Sequence, residues 1–329
     1  MGAAEISGNL LRWYARCQRD LPWRRDRDPY RVWIAEIMLQ QTRVAAVIPY
    51  YSNFLKLFPT AADLARARPQ KVLRAWAGLG YYARARNLHG AARRISAAGH
   101  FPSSCKEWLA LPGVGKYTAA AISSITLGEA RAVVDGNVRR VLSRLFAARD
   151  GYESKAAELL DRRRPGDFNQ AIMELGATIC RPPAPLCPQC PLAANCRAWR
   201  EGRVAEFPAA RRRKAPQRVS LRLAVVQRDG RLLLARPVDA GLWPRFWTLP
   251  QLPHPLIKKG RRLGEFRHAV TFRDFRVEVF EARLACGDGA EGRPHGVAPT
   301  CPAGMRWVTR AQLSRLPLST PSRKALDRL

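Results

Sequence analysis

Two isolated carboxylates and a tight group of thiols are the residues here with the means to do chemistry. Glu36 is the single acid in Tyr30–Thr42, YRVWIAEIMLQQT. On a helix its neighbours are Val32, Trp33 and Gln40. An indole and a valine beside a carboxyl desolvate it, which raises its pKa and lets it hold a proton near neutral pH. Periodicity alone favours a blander reading, a solvent-facing Glu on an amphipathic helix. The second acid, Asp135, closes the stretch Leu111–Asp135, LPGVGKYTAAAISSITLGEARAVVD, just before Gly136-Asn137-Val138. It is well placed to cap the helix that follows, and that structural role does not exclude catalysis.

Cys180, Cys187, Cys190 and Cys196 read C-x6-C-x2-C-x5-C, four thiols within seventeen residues. Such a group can hold zinc or a [4Fe–4S] cluster. Zinc ribbons usually bring two C-x2-C knuckles. This stretch has one and no nearby His, so the spacing favours iron–sulfur. Cys17, Cys105, Cys286 and Cys301 are scattered and read as structural or incidental.

These groups need elements to position them. Gly113 and Gly115 in LPGVG let the backbone adopt conformations that a side chain forbids, and let another molecule come close. The Lys116–Thr118 amides that follow open a helix without intrahelical partners, where a phosphate can dock. A plain tight turn between helices would need the same two glycines. Upstream, Ile6, Leu10, Leu11, Trp13 and Tyr14 fall at helical spacing, and Asp28-Pro29 starts the helix Tyr30–Thr42. Further helical segments are Ala46–Leu57, Ala61–Ala67, Gln70–Ala77 and Ala83–Ala97, interrupted by the loop tip Gly78-Leu79-Gly80-Tyr81-Tyr82. Beyond Arg211-Arg212-Arg213-Lys214 the periodicity switches to two. Leu221–Gln227 and Arg231–Arg236 flank Asp229-Gly230 as a hairpin, Phe275–Glu281 alternates, and a helix follows near Pro321–Leu329. The expected organisation is a helical domain over 1–202, a basic linker over 203–219 and an α+β domain over 220–329.

The chain has 329 residues, enough for two cores. Its 57 Lys and Arg against 26 Asp and Glu give a net charge of +31. That excess points to a polyanionic partner rather than to a fold. Nine of the basic residues are lysine; an arginine preference suits phosphate recognition, although a GC-rich genome gives the same bias. No signal peptide is evident, and no apolar run approaches the ~20 residues of a membrane helix. A cytoplasmic, nucleoid-associated monomer without membrane contact is expected, with its cysteines outside a disulfide framework.

Taken together, LPW at Leu21–Trp23, EIMLQQT at Glu36–Thr42, GLGYYARARNL at Gly78–Leu88, LPGVGKYTA, VDGNV at Val134–Val138 and the cysteine quartet resemble the MutY-type adenine DNA glycosylases. GLW at Gly241–Trp243 and LPLSTPSRKAL at Leu316–Leu326 extend the resemblance to nearly the whole chain. It implies an all-α helix-hairpin-helix domain with a [4Fe–4S] loop, followed by a Nudix-like α+β domain. It also implies removal of adenine mispaired with 8-oxoguanine or guanine in double-stranded DNA. Glu36 would be the general acid, Asp135 would stabilise or trap the sugar cation, and Tyr117 and Asn137 would support them. Gln41 and Tyr81 would enter the duplex, with Gln40, Thr42, Leu79, Gly113, Val114, Gly115, Lys116 and Thr118 at the DNA surface. Arg19, Trp23 and Gln170 match the base pocket, and the four cysteines the cluster.

Two departures matter. The related endonuclease III type uses a lysine at the position of Tyr117 to cut the strand. Lys116 is one residue early, about 100° away on a helix, so a monofunctional enzyme is expected. The C-terminal domain lacks the acid-rich metal box of Nudix hydrolases; PRFWTLPQLPHP stands there instead. Without those carboxylates there is nothing to hold Mg²⁺. Its Val270-Thr271-Phe272 replaces the family's Phe-Ser-His, leaving Thr271 as the candidate lesion contact. A non-catalytic iron–sulfur DNA-binding protein would keep the cysteines and basic surface but would not require Glu36 and Asp135 together.

Overall fold

The computed structural model describes residues 2–209, 215–236, 246–270, 272–285, 304–313 and 316–328. The chain divides into two compact units, Met1–Arg211 and Arg212–Leu329. Thr271, the GLW motif at 241–243, Cys286 and Cys301 lie outside the described residues.

The first unit is helical: α1 (Ala3–Cys17), α2 (Pro29–Leu39), α3 (Val44–Leu57), α4 (Ala61–Arg66), α5 (Pro69–Ala75), α6 (Ala83–Ala98), α7 (Cys105–Leu109), α8 (Lys116–Thr126), α9 (Gly136–Leu145), α10 (Tyr152–Leu159), α11 (Pro165–Thr178) and α12 (Arg197–Arg200). The local signals are those expected of helix ends. Asp28 caps α2 ahead of Pro29, Thr60 caps α4, Ser104 caps α7 and Asp135 caps α9. Two apolar cores form. Trp33, Trp76 and Trp108 anchor one, and α1, α9 and α11 build the other around Leu10, Leu142 and Phe168. Helix α8 serves both, because Ala119 and Ile122 face the first core while Ala120 and Ala121 face the second.

Helix α2 ends three residues before the expected Thr42 and begins one residue before the expected Tyr30. It stops at Leu39, and Gln41 adopts a left-handed backbone with φ 57°. The helix is apolar on nearly every side, with Tyr30 and Val32–Met38 all buried, so Glu36 has no solvent face to occupy.

The second unit is a five-stranded mixed sheet, ordered β3-β4-β1-β2-β5, of β1 (Gln217–Arg228), β2 (Arg231–Ala235), β3 (Ile257–Val270), β4 (Arg273–Leu284) and β5 (Met305–Thr309). The expected hairpin joins β1 to β2, with Asp229 and Gly230 both at positive φ. Strand β1 runs parallel to β4 in the middle of the sheet. Its side chains alternate between Leu221, Leu223 and Val225 on one face and Ala224 and Val226 on the other, and each face has an apolar cluster. Two short helices follow, α13 (Arg310–Leu313) and α14 (Thr320–Leu326); Ala325 of α14 packs on the first face.

The expected linker 203–219 is shorter at both ends. Phe207 is buried, and its carbonyl accepts from Arg144 Nε at 2.9 Å, so 203–207 belongs to the helical unit. Gln217–Val219 is already strand, in register with Arg273–Phe275.

Candidate active site

A cavity of about 510 Å³ opens in the helical unit between α2 on one side and α9 and α11 on the other. Glu36, Tyr117, Asp135 and Asn137 line it, with Arg19, Trp23 and Gln170 further round the wall and Gln40, Gln41 and Thr42 at one edge. Residues spread over about 150 positions of sequence thus line one cavity. Lys116 is exposed and does not line the cavity, whereas Tyr117 does.

Glu36 is buried on α2, and its carboxyl is pushed up to about 7. Burial is the main cause, and the negative charge of Asp135 adds to it; a hydrogen bond with Tyr117 and the charge of Arg24 act the other way. The Tyr117 phenol is itself held well above its usual value by burial and by the two acids, so it is a neutral hydroxyl. It also lies 3.0 Å from Met173 Sδ.

Asp135 is fixed from several directions. Its Oδ1 accepts from the Val138 amide at 2.7 Å as the cap of α9, and its Oδ2 accepts from Asn137 Nδ2 at 3.1 Å. Asn137 Oδ1 accepts in turn from Arg140, which also donates to the carbonyls of Gly176 and Cys180. Gly176 permits the close approach of α11, since a Cβ there would stand 2.7 Å from Asn137 Cβ. The chain leading into Asp135 is pinned by buried Asn169, which accepts from the Val133 amide and donates to Arg131 O and Ser124 Oγ.

Sequence reasoning did not find Glu174. Its side chain is fully buried, and it binds Arg19 through both oxygens at 2.6 and 2.8 Å and Arg24 at 2.8 Å. Burial pushes this carboxyl up, but the Arg19 hydrogen bond and the Arg24 charge outweigh it and hold it below its ordinary value. Arg24 is further seated over the Tyr14 ring at 5.4 Å. Gln170 and Glu174 are four residues apart on α11, the one spacing signal that could have nominated Glu174.

At the expected DNA surface, Gln41 and Tyr81 are exposed on turns, both with positive φ. Gly113 needs its glycine: φ is 78°, and a Cβ would stand 2.7 Å from Asn87 Cβ. Gly115 does not fit the expected special conformation; it is extended with open space around it. The first amide of α8 to bond back into the helix is that of Ala119, to Gly115 O, which leaves those of Lys116, Tyr117 and Thr118 without intrahelical partners. The side chains of Leu79, Val114 and Thr118 are buried, and Thr118 Oγ1 accepts from Gln40 Nε2 at 3.2 Å. These three therefore have only backbone to offer a ligand on the surface.

The four cysteines border one apolar cavity with Leu175, Leu192 and Arg144. Burial pushes Cys190 up to about 12 and also raises Cys187 and Cys196. Arg144 donates to Cys180 Sγ at 3.4 Å and to the Arg181 and Pro182 carbonyls, tying this loop to α9. Among the described residues, no three His, Cys, Asp or Glu side chains are grouped as ligands of a single metal ion.

Comparison with known proteins finds relatives of the whole chain and of its helical unit. Residues 34–165 match the HhH-GPD superfamily of base excision DNA repair proteins. The chain is 35% identical over 403 aligned positions to human adenine DNA glycosylase, covering 96% of this chain and 72% of that protein. The Arabidopsis thaliana adenine DNA glycosylase is 38% identical, covering 75% of this chain and 47% of that protein. Among solved structures, a thermostable thymine-DNA glycosylase superposes with a TM-score of 0.56 at 30% identity, over 60% of this chain and 97% of that one. An endonuclease III–DNA complex shares the fold, with a TM-score of 0.53 at 22% identity over 61% of this chain and 98% of that one.

Proposed function

Since the chain belongs to the adenine DNA glycosylase family, we propose that it hydrolyses the N-glycosidic bond of adenine opposite 8-oxoguanine or guanine, with Glu36 and Asp135 as the working pair. The observation that carries this is one cavity holding both acids, with Glu36 at about 7 and so able to hold a proton at neutral pH. A carboxyl that keeps its proton near neutral pH, set beside a second acid, is what glycosidic hydrolysis through an oxocarbenium-like state requires.

In this reading the adenine is flipped out of the duplex into the cavity while Gln41 and Tyr81 fill the space it leaves. Glu36 donates its proton to a ring nitrogen of the departing base, which removes the cost of expelling an anion. Asp135, held by the Val138 amide and Asn137, faces the positive charge that develops on the sugar. Water then adds to the sugar carbon and gives its proton back to Glu36. The free amides of Lys116, Tyr117 and Thr118 receive a backbone phosphate. Tyr117 supplies a hydroxyl where a lyase needs an amine, so the reaction stops at base removal.

The cysteine loop would hold a [4Fe–4S] cluster through Cys180, Cys187, Cys190 and Cys196. The donor set fits: four soft sulfur ligands border one cavity with an apolar lining. The cluster would fasten the loop to α9 and α11. The second unit is proposed to be a Nudix-like domain that reads the base opposite adenine.

A duplex containing adenine opposite 8-oxoguanine tests the activity directly. Incubation should leave an alkali-labile site at the adenine and an intact strand before alkali. Recovery of fully intact strands after alkali would overturn the reading.

A further inference from the structure

Arg84, on α6, reaches two turns at once. Its Nη1 donates to Ile37 O, Met38 O and Gln40 O at 3.0, 2.8 and 2.5 Å. Its Nη2 donates to Thr42 Oγ1 at 3.1 Å, to Leu79 O at 3.1 Å and to Gly80 O at 3.3 Å. The guanidinium also lies over the rings of Trp76 and Tyr81, at 5.4 and 5.5 Å. A cation near Ile37 and Met38 would be ordinary, because the last carbonyls of a helix are unsatisfied and negative. The remaining acceptors are not explained that way. They belong to Gln40–Thr42 and Leu79–Gly80, which flank Gln41 and Tyr81, the non-glycine residues held at φ 57° and 49°. Left-handed conformations at such residues persist only where the surroundings over-determine them.

We propose that Arg84 is a positioning residue that locks the Gln40–Thr42 and Leu79–Tyr81 turns into one rigid wedge, presenting Gln41 and Tyr81 to the base stack together. The inference rests on the proposed duplex insertion by these two residues. One planar guanidinium bonds to both turns, so displacing either turn breaks its hydrogen bonds to the same group that anchors the other. A lysine carries the charge without the fork and cannot bridge both turns. Arg84 touches neither the reacting atoms nor Glu36, so its loss acts before the chemical step.

The test is unstacking, read separately from excision. A duplex carries 2-aminopurine beside an adenine opposite 8-oxoguanine, and its fluorescence rise on adding protein reports opening of the stack. Arg84→Lys should lower the affinity measured by this rise about tenfold or more, while its binding to matched duplex and its thermal midpoint stay close to the parent's. An unchanged rise in a folded Arg84→Lys overturns the proposal, as does an equal loss on matched and mispaired duplex. Should Arg84→Lys not fold, Thr42→Val decides: it removes one anchor of the first turn, and the rise should weaken several-fold, an unchanged rise being again fatal. If the parent opens the stack but removes no adenine, the proposed activity fails while the test of Arg84 still stands.

Discussion

Asp135 faces Glu36 in the same cavity, and its negative charge adds to burial in pushing the Glu36 carboxyl up to about 7. Single-turnover excision should therefore fall as pH rises through about 7, where Glu36 loses the proton it must donate. Glu36→Gln should cost ~10²–10⁴-fold in rate with duplex binding retained. A near-parental rate would make Glu36 a helix residue only.

The same shift has a consequence for stability. Glu36 binds its proton more tightly folded than unfolded, so its ionisation opposes folding. Stability should decline as pH rises from 4.5 to about 7, and Glu36→Gln should remove that decline. Above pH 7 the variant should be more stable than its parent by up to about 3 kcal/mol, shrinking toward zero near pH 4.5. Urea titrations at the two ends of this range measure the difference.

Glu174 behaves oppositely. Its carboxyl is held low, so the Arg19–Glu174–Arg24 group stabilises the fold above pH 4.5, and that contribution is lost as pH falls through the lowered folded value. Glu174→Gln leaves two guanidinium groups against a neutral amide and should cost about 3 kcal/mol at pH 7. A denaturation midpoint equal to the parent's would show that water replaces the carboxylate without penalty.

Tyr117→Lys places an amine in the cavity in place of the phenol. It should confer strand cleavage and a borohydride-trappable DNA adduct, both absent from the parent. Failure to trap would mean that the lysine is not directed at the sugar.

Iron and sulfide analysis of protein prepared anaerobically should find about four of each per chain. Cys190→Ser should reduce both. Stoichiometric zinc without iron would refute the cluster.

Removing residues 220–329 should leave excision opposite guanine in place and shrink the preference for 8-oxoguanine. Thr271→Ala should weaken that preference several-fold, as for one lost hydrogen bond of ~0.5–1.5 kcal/mol. The ratio of single-turnover rates for the two opposing bases is the measurement.

Much of this protein is decided locally and is readable from the chain. Asp135 beside Gly136 caps α9 because a short acceptor precedes free amides, and Asp229-Gly230 makes a hairpin because both residues accept positive φ. The cysteine spacing suggests a shared site, and the folded loop brings all four side chains to the border of one cavity. Periodicity misjudged Glu36, since it senses one face of a helix at a time and α2 is enclosed on nearly all of them. It also passed over β3, whose IKKGRRLGEFRHAV is mostly exposed and charged and is a strand because β4 pairs with it.

What tertiary structure alone decided is how the charges are tuned. Glu174 meets Arg19 and Arg24 across 155 and 150 residues, and Arg84 meets Gln40 and Thr42 across 44 and 42. Nothing in the spacing of these residues along the chain foretells such distant pairs. The energy of a charge depends on the solvent it has lost and on the groups that replace that solvent, and both are set only when the helices pack.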